Sequence, residues 1–308
     1  MDALPRKLNL APMMGCTDRH FRVLARMLSP NALLYSEMIT TGALEYGDAP
    51  HHLRHAGDTP AALQLGGNDP AALARCARLV EDAGYQEVNL NVGCPSDRVK
   101  DGLFGACLMA QPQLVGECVA AMQKTVRIPV TVKCRIGIDD SDGLTFFLDF
   151  IRQVRAAGCA VFAVHARKAM LQGLSPKENR EIPPLRYDYV KAAKAEFPEL
   201  TLILNGGLKD DRALDDGFDG VMLGRAAYND PWVLAKMEER RYGTTIPSRS
   251  EVLEAYFEHM SREHAEGTAV KHMARHLFGF FLGVRGARRF RRELSETMFA
   301  DDGCPATI

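Results

Sequence analysis

Cys94 stands in NVGCPS (91–96), where an apolar run gives way to Gly93 and Pro95. Proline fixes its own φ and ends the strand, so the thiol is expected on a turn. A free cysteine is more commonly a small buried hydrophobe, but a strand terminus between glycine and proline favours a functional thiol. Lys133 and His165 stand in two further apolar runs of the same kind. A lysine there can hold negative charge that develops on a ring carbonyl or a reduced cofactor. A histidine can donate to a phosphate, a carbonyl or a cofactor ring. Each alone reads equally well as a satisfied structural group. Together with Gln64, Asn91 and the glycine turns NGG (205–207) and Gly224-Arg225, they make a site. Among the other cysteines, Cys76, Cys118 and Cys159 lie in helix-like stretches, Cys134 on a strand and Cys304 in the tail, while Cys16 and Cys107 lie near loops. There is no CxxC pair, no Cys/His grouping at zinc spacing, no glycosidase-type carboxylate pair and no Ser–His–Asp order. The nine histidines do not cluster in sequence as metal ligands, so no metal is expected.

These residues must be positioned by a repeat of short apolar runs, each closed by a polar or glycine-bearing turn. The runs are LNLAPMM (8–14), LLYSEMI (33–39), AALQLGG (61–67), EVNLNVGC (87–94), PVTVKCRIG (129–137), VFAVHAR (161–167), TLILNGG (201–207) and GVMLGRA (220–226). Helical stretches separate most of them, which predicts βα units and a parallel sheet. Eight units match a closed (β/α)₈ TIM barrel, whose active-site face is the C-terminal end of the strands. An open doubly wound sheet would carry GxGxxG after its first strand, and APMM (11–14) is nothing like it. At the expected rim stand Met13, Met14, Glu37, Gln64, Asn91, Cys94, Lys133, Arg135, His165, Arg167, Asn205 and Arg225. The two glycine turns after the seventh and eighth runs are where such barrels commonly bind phosphate.

After Tyr242 the strand pattern stops. A turn-rich linker (243–250) leads to Ser248 and Glu251, a capping box that predicts a helix to about residue 266. Further helices are expected over roughly 269–283 and 286–297, with LFGFFLGV (277–284) as their core. The fold class is therefore α/β: a barrel over 1–242, followed by a small all-α domain over 243–308. The composition, 46% hydrophobic and 25% charged, excludes disorder, collagen and coiled coil for the whole chain. The start lacks a signal peptide's apolar stretch and no apolar run approaches ~18 residues, so a soluble cytoplasmic protein with free thiols is expected. The net charge is −1, yet the window 269–292 carries seven cations (Lys271, Arg275, Arg285, Arg288, Arg289, Arg291, Arg292) and no Asp or Glu. That window is +7 and the rest of the chain −8. One end is expected to meet something anionic.

APMM (11–14), LYSEM (34–38), ALQLGG (62–67), NLNVGCPSDRV (89–99), PVTVK (129–133), VHARK (164–168) and NGG (205–207) together resemble the tRNA-dihydrouridine synthases, in order and over nearly the whole chain. GLSPKENREIPPL (173–185) further resembles the subgroup that reduces D-loop uridines 20 and 20a. The resemblance implies an FMN enzyme of the barrel fold with a helical C-terminal domain. FMN would contact Pro12, Met13, Met14, Gln64, Lys133, His165, Asn205, Gly206, Gly207, Gly224 and Arg225, the last five holding its phosphate. Cys94 would be the catalytic acid, and Asn91, Lys177, Arg180, Arg288 and Arg291 would contact tRNA. NADPH would be the reductant and a monomer the working unit. Cys16, Cys134 and a short 208–218 segment depart from the family pattern. Two other classes compete: a flavin barrel acting on a free small molecule, which has no use for Lys177, Arg180 and the basic window, and a flavin-free RNA-binding barrel without turnover.

Overall fold

Alternation along the strands decides which residues face the barrel lumen. In the computed structural model, which describes residues 4–96, 99 and 102–298, eight parallel strands close in the order β1 to β8. They are β1 (Leu8–Leu10), β2 (Leu33–Thr40), β3 (Ala61–Gly66), β4 (Glu87–Val92), β5 (Val130–Arg135), β6 (Val161–His165), β7 (Thr201–Asn205) and β8 (Gly220–Leu223). Closure is made by β1 on β8, with Leu8 opposite Val221 and Leu10 opposite Leu223. On β4, Val88, Leu90 and Val92 face the surrounding helices, as Val130, Val132 and Cys134 do on β5. The intervening residues therefore point inward: Glu87, Asn89 and Asn91, then Thr131, Lys133 and Arg135. The lumen is plugged by Tyr35, Ala62, Ala163, Ile203 and Met222, so it is a packed core.

The barrel helices are α1 (Arg19–Leu28), α2 (Thr41–Tyr46), α3 (Ala49–Leu53), α4 (Pro70–Asp82), α5 (Pro112–Thr125), α6 (Leu144–Ala156), α7 (Tyr187–Glu196), α8 (Arg225–Asn229) and α9 (Trp232–Tyr242). Local chemistry starts several of them. Asp18 caps α1 by accepting from the N–H groups of His20 and Phe21, and Asp69 caps α4 ahead of Pro70 at its first position. The β7–β8 connection forms only a 3₁₀ turn (Arg212–Asp216).

Beyond residue 242 the expected capping box is present, Ser248 and Glu251 opening α10 (Arg249–Ala265). The helix expected over 269–283 is not continuous. It divides into α11 (Val270–Ala274), a 3₁₀ turn (Arg275–Leu277) and a series of turns. Glycines explain the break. A Cβ on Gly279 would lie 2.2 Å from the Asn229 carbonyl oxygen, and Gly283 and Gly286 take φ of +78° and +92°. Of the expected core at 277–284, Leu277 and Phe280 are fully buried, but Leu282 and Val284 are exposed. The last helix, α12 (Ala287–Thr297), begins where expected. The helical segment shares one apolar core with the barrel. Leu10, Phe21, Leu24 and Leu223 pack in the same cluster as Tyr256, Met260, Leu277 and Phe280.

Candidate functional site

Four strand ends deliver the polar mouth. Lys133 donates from Nζ to Asn205 Oδ1 at 3.0 Å, and Asn205 in turn donates to the Met222 carbonyl at 2.7 Å. Burial, together with the neighbouring Arg135, pushes the Lys133 ammonium down to about 8. Burial likewise holds His165 well below its usual range, with Arg135 and Lys133 adding to the effect, so its imidazole is neutral. Arg135 is pushed down to about 10, again chiefly by burial. Arg135 Nε donates to the Gly93 carbonyl at 3.0 Å, which sets the guanidinium against the turn that carries Cys94.

Cys94 is half-buried on the turn that follows β4. Its backbone N–H and that of Gly93 both donate to Asn91 Oδ1, at 2.9 and 3.1 Å. Its thiol reaches Ser96 Oγ at 3.4 Å. The turn is backed by the 3₁₀ segment Gly105–Ala110, and Ala106 N–H donates to the Cys94 carbonyl at 3.0 Å. Only glycine fits at 105: φ is +72° and a Cβ would sit 2.6 Å from that same carbonyl. Cys107, on the same segment, turns its thiol to the Phe104 carbonyl at 3.0 Å, and burial raises its pKa.

Asn91 leads down into the barrel through a polar chain that the motif reading missed. Asn91 Nδ2 donates to Gln64 Oε1, Gln64 Nε2 to Asn89 Oδ1, and Asn89 Nδ2 to Thr131 Oγ1, at 2.7, 2.7 and 2.8 Å. Thr131 and Tyr35 both donate to Glu87 Oε1 at 2.6 Å, and Arg6 pairs with the other carboxylate oxygen. The signal was present in EVNLNV, whose polar residues at every second position all face the lumen. Gln64 and Asn91 are thus buried structural partners of the Cys94 turn as well as rim residues.

The glycine turns meet the same mouth. Gly206 (φ +109°) lies against His165, where a Cβ would stand 2.4 Å from Cδ2, and Gly207 (φ +69°) lies against Leu185. A Cβ on Gly224 would approach the Met13 sulfur to 3.2 Å, which joins the β8 turn to the 12–14 segment. Pro12 and Met13 are half-buried, while Met14 is 63% exposed. The Arg225 side chain is engaged by Glu181 at 2.5 Å and by the Arg180 carbonyl at 3.2 Å. The chemistry of this donor set suits a group with a phosphate: glycine backbone that admits close approach, a half-buried ammonium, a neutral imidazole and two arginines.

Lys177 and Arg180 are exposed on the segment that follows β6. Arg288 and Arg291 lie on α12, outside the rim, and neither is in an ion pair among the described residues. The helix starts at 287, so Arg285 falls in a turn and does not join their face. Arg275 is not available as a free cation: its guanidinium meets Asp18 Oδ2 at 2.5 Å. Although the histidines show no ligand spacing in sequence, folding does bring His20, His259 and Glu263 together. The cluster is satisfied internally. His20 and His259 share a hydrogen bond at 3.0 Å, and Glu263 pairs with Arg19 at 2.6 Å and Arg54 at 3.6 Å.

Comparison with known proteins supplies the rest. Two solved structures share the fold: a 2-naphthoyl-CoA reductase complex (TM-score 0.60, 10% identity, covering 78% of this chain and 51% of that one) and an old yellow enzyme homologue from Zymomonas mobilis (TM-score 0.54, 12% identity, covering 81% and 92%). Among curated relatives, the tRNA-dihydrouridine(20/20a) synthase of Pseudomonas putida is 54% identical over 296 residues, covering 94% of this chain and 88% of that protein. The protein of the same name from Vibrio cholerae is 50% identical over 299 residues, covering 94% and 90%. The family model described as dihydrouridine synthase matches residues 9–307. With that match running from the first strand to the helical segment, the chain belongs to the dihydrouridine synthase family.

Proposed function

We propose that this protein is an NADPH- and FMN-dependent tRNA-dihydrouridine synthase that reduces the C5–C6 bond of D-loop uridine at positions 20 and 20a. Its relatives at 50–54% identity carry the name of that activity. The observation that carries the reading is the mouth itself: a half-buried thiol on a pinned turn, with the buried Arg135 against that turn and the half-buried Lys133 on the same strand, in a barrel whose glycine turns can admit a phosphate. FMN would be held by the 12–14 segment, Gln64, Lys133 and His165, with its phosphate against Asn205, Gly206, Gly207, Gly224 and Arg225. When bound and reduced by NADPH, it supplies the hydride that adds to uracil C6.

The chain's residues do the remainder. Cys94 gives its proton to C5, and solvent restores the thiol. Lys133 holds negative charge on the uracil carbonyl as the hydride arrives. The base must leave its stack to reach this depth. Asn91, Lys177, Arg180, Arg288 and Arg291 would contact the RNA, residues 243–308 acting as the arm that holds it and 1–242 as the catalytic barrel. No helix among the described residues is long and apolar enough to cross a membrane. The working form we propose is a cytoplasmic monomer with no metal in its chemistry.

The test is dihydrouridine mapping in tRNA from cells lacking and regaining this gene, together with extraction of the bound flavin. Dihydrouridine at 20 and 20a that returns with the gene, and FMN released on denaturation, is the expected result. An unchanged map, or a protein that carries FAD or no flavin, would overturn the reading.

A further inference from the structure

Arg135 ends β5 and is almost completely buried, yet among the described residues no carboxylate pairs with it. Its partners are three main-chain carbonyls on two separate segments. Nε donates to Gly93 O at 3.0 Å, the residue before Cys94. Nη1 donates to Lys168 O at 3.1 Å and to Asn179 O at 2.9 Å. A buried cation without a counterion is costly, and a guanidinium's planar fork is the side chain that can serve several acceptors in fixed geometry.

The second segment is itself closed upon Asn179. That side chain, fully buried, accepts from Met170 N–H at 2.7 Å and donates to the carbonyls of Met170 and Leu174 at 2.9 and 3.1 Å. The loop so formed carries Lys177 and Arg180 on its outside. It is braced from the other side by Lys168, which pairs with Asp142 at 2.7 Å and donates to the Asp139 carbonyl at 2.9 Å. Asn91 thus pins the Cys94 turn from the strand side through two N–H groups, and Arg135 pins it from the loop side through the Gly93 carbonyl.

We propose that Arg135 is a positioning residue that ties the Cys94 turn to the 168–180 loop, so that contact of RNA with Lys177 and Arg180 fixes where the thiol delivers its proton. This rests on the function proposed above and names a part of its machinery. A displacement of about 1 Å in a reacting group can cost on the order of 10²-fold in rate. Arg135→Lys keeps the charge but replaces the fork with one ammonium, which cannot span Gly93, Lys168 and Asn179. Asn179→Ala opens the loop while leaving Arg135 in place.

The experiment is a double-mutant cycle in single turnover, with the flavin-loaded protein pre-reduced by NADPH and mixed with unmodified tRNA. Arg135→Lys, Arg135→Met and Asn179→Ala are each made with Cys94 intact and with Cys94→Ala. Flavin reduction by NADPH and the melting temperature are followed alongside. With Cys94 present, the Arg135 variants are expected to form dihydrouridine about 100-fold more slowly and Asn179→Ala about tenfold more slowly, with flavin reduction unchanged. In the Cys94→Ala background the same changes are expected to cost less than about threefold, since they act through a thiol already gone. Equal losses in both backgrounds would show that Arg135 acts independently of the thiol and would overturn the proposal. So would an Asn179→Ala variant altered only in its KM for tRNA. If Arg135→Met does not fold, Arg135→Lys and Asn179→Ala still decide the question. A wild-type protein that forms no dihydrouridine would instead overturn the functional reading.

Discussion

At the barrel mouth, Arg135 and His165 are buried and Lys133 is half-buried; Lys133 donates to the Asn205 amide and Arg135 to main-chain carbonyls, and among the described residues no carboxylate pairs with them. On α12, Arg289 and Arg292 stand in solvent and pair with Glu293 and Glu296 one turn along, leaving the exposed Arg288 and the half-buried Arg291 without an ion pair among the described residues. Both regions are cationic, and the physics differs. A buried ammonium or guanidinium has lost its water, so its energy depends strongly on the geometry of whatever it meets. An exposed arginine interacts weakly, is screened by salt and tolerates many geometries. The mouth is built to act on one group in one pose. The arm is suited to grip a polyanion without reading it.

The largest test of this contrast removes the thiol. Cys94→Ala is expected to retain flavin and NADPH oxidation while losing dihydrouridine formation by about 10²–10⁴-fold, the usual worth of a general acid. Cys107→Ala should stay within about threefold of wild type, because that thiol faces the Phe104 carbonyl. Equal losses at the two positions, measured as product per turnover, would mean that the wrong thiol has been assigned.

A second change tests how tightly the mouth is fitted. Gly206→Ala would place a Cβ 2.4 Å from the His165 ring at φ +109°. Strain of this kind is worth about 1–3 kcal/mol, so FMN affinity by fluorescence titration should fall about 10- to 100-fold. Gly84→Ala is the control, for its φ is +88° with nothing within 4 Å. It should lower stability and leave flavin affinity alone.

The arm should respond in salt dependence instead. Arg288→Ala with Arg291→Ala is expected to flatten the slope of log K against log salt for tRNA by about 1–2 and to raise KM. Flavin content and melting temperature should not move. A double variant that binds tRNA like wild type at every salt concentration would leave the mouth as the sole RNA site.

The smallest effect concerns the seam between barrel and arm. His20 is pushed down to about 3, chiefly by burial and then by Arg19, and burial also lowers His259. In the unfolded chain both titrate near ~6.5. Above that value both states are neutral and the pair carries no penalty. As pH falls below it, the unfolded chain takes up protons that the folded one refuses, so stability falls, at most about 1.4 kcal/mol per pH unit per histidine. The melting temperature should therefore drop between pH 7 and 5, and His20→Asn with His259→Asn should flatten that drop. A wild-type profile no steeper than the variant's would mean that the seam does not titrate in this way.

Much of this was legible beforehand. The eight strand runs, the capping box at Ser248 and the junction at Cys94 all follow from local chemistry, and each is found within a few residues of its expected place. The helix expected over 269–283 was not legible. Its apolar residues have helical spacing, but Gly279 lies against the Asn229 carbonyl, a contact 50 residues away that no local pattern records. Arg275 counts in sequence among the seven cations of the 269–292 window, and folding binds it to Asp18, whose carboxylate is held low, against the effect of burial, by hydrogen bonds from His276 and Arg275.

The sequence by itself determined the barrel, the order of its strands and which residue types stand at their C-terminal ends, because strand alternation and turn chemistry are short-range. Only the tertiary structure decided how those ends are held. Arg135 joins segments 33 to 44 residues away from it in sequence, and His20 meets His259 across 239. Contacts of that span exist only after the barrel has closed, since closure sets which strand ends become neighbours. The identities of the groups are local facts; their partners are consequences of the closed ring.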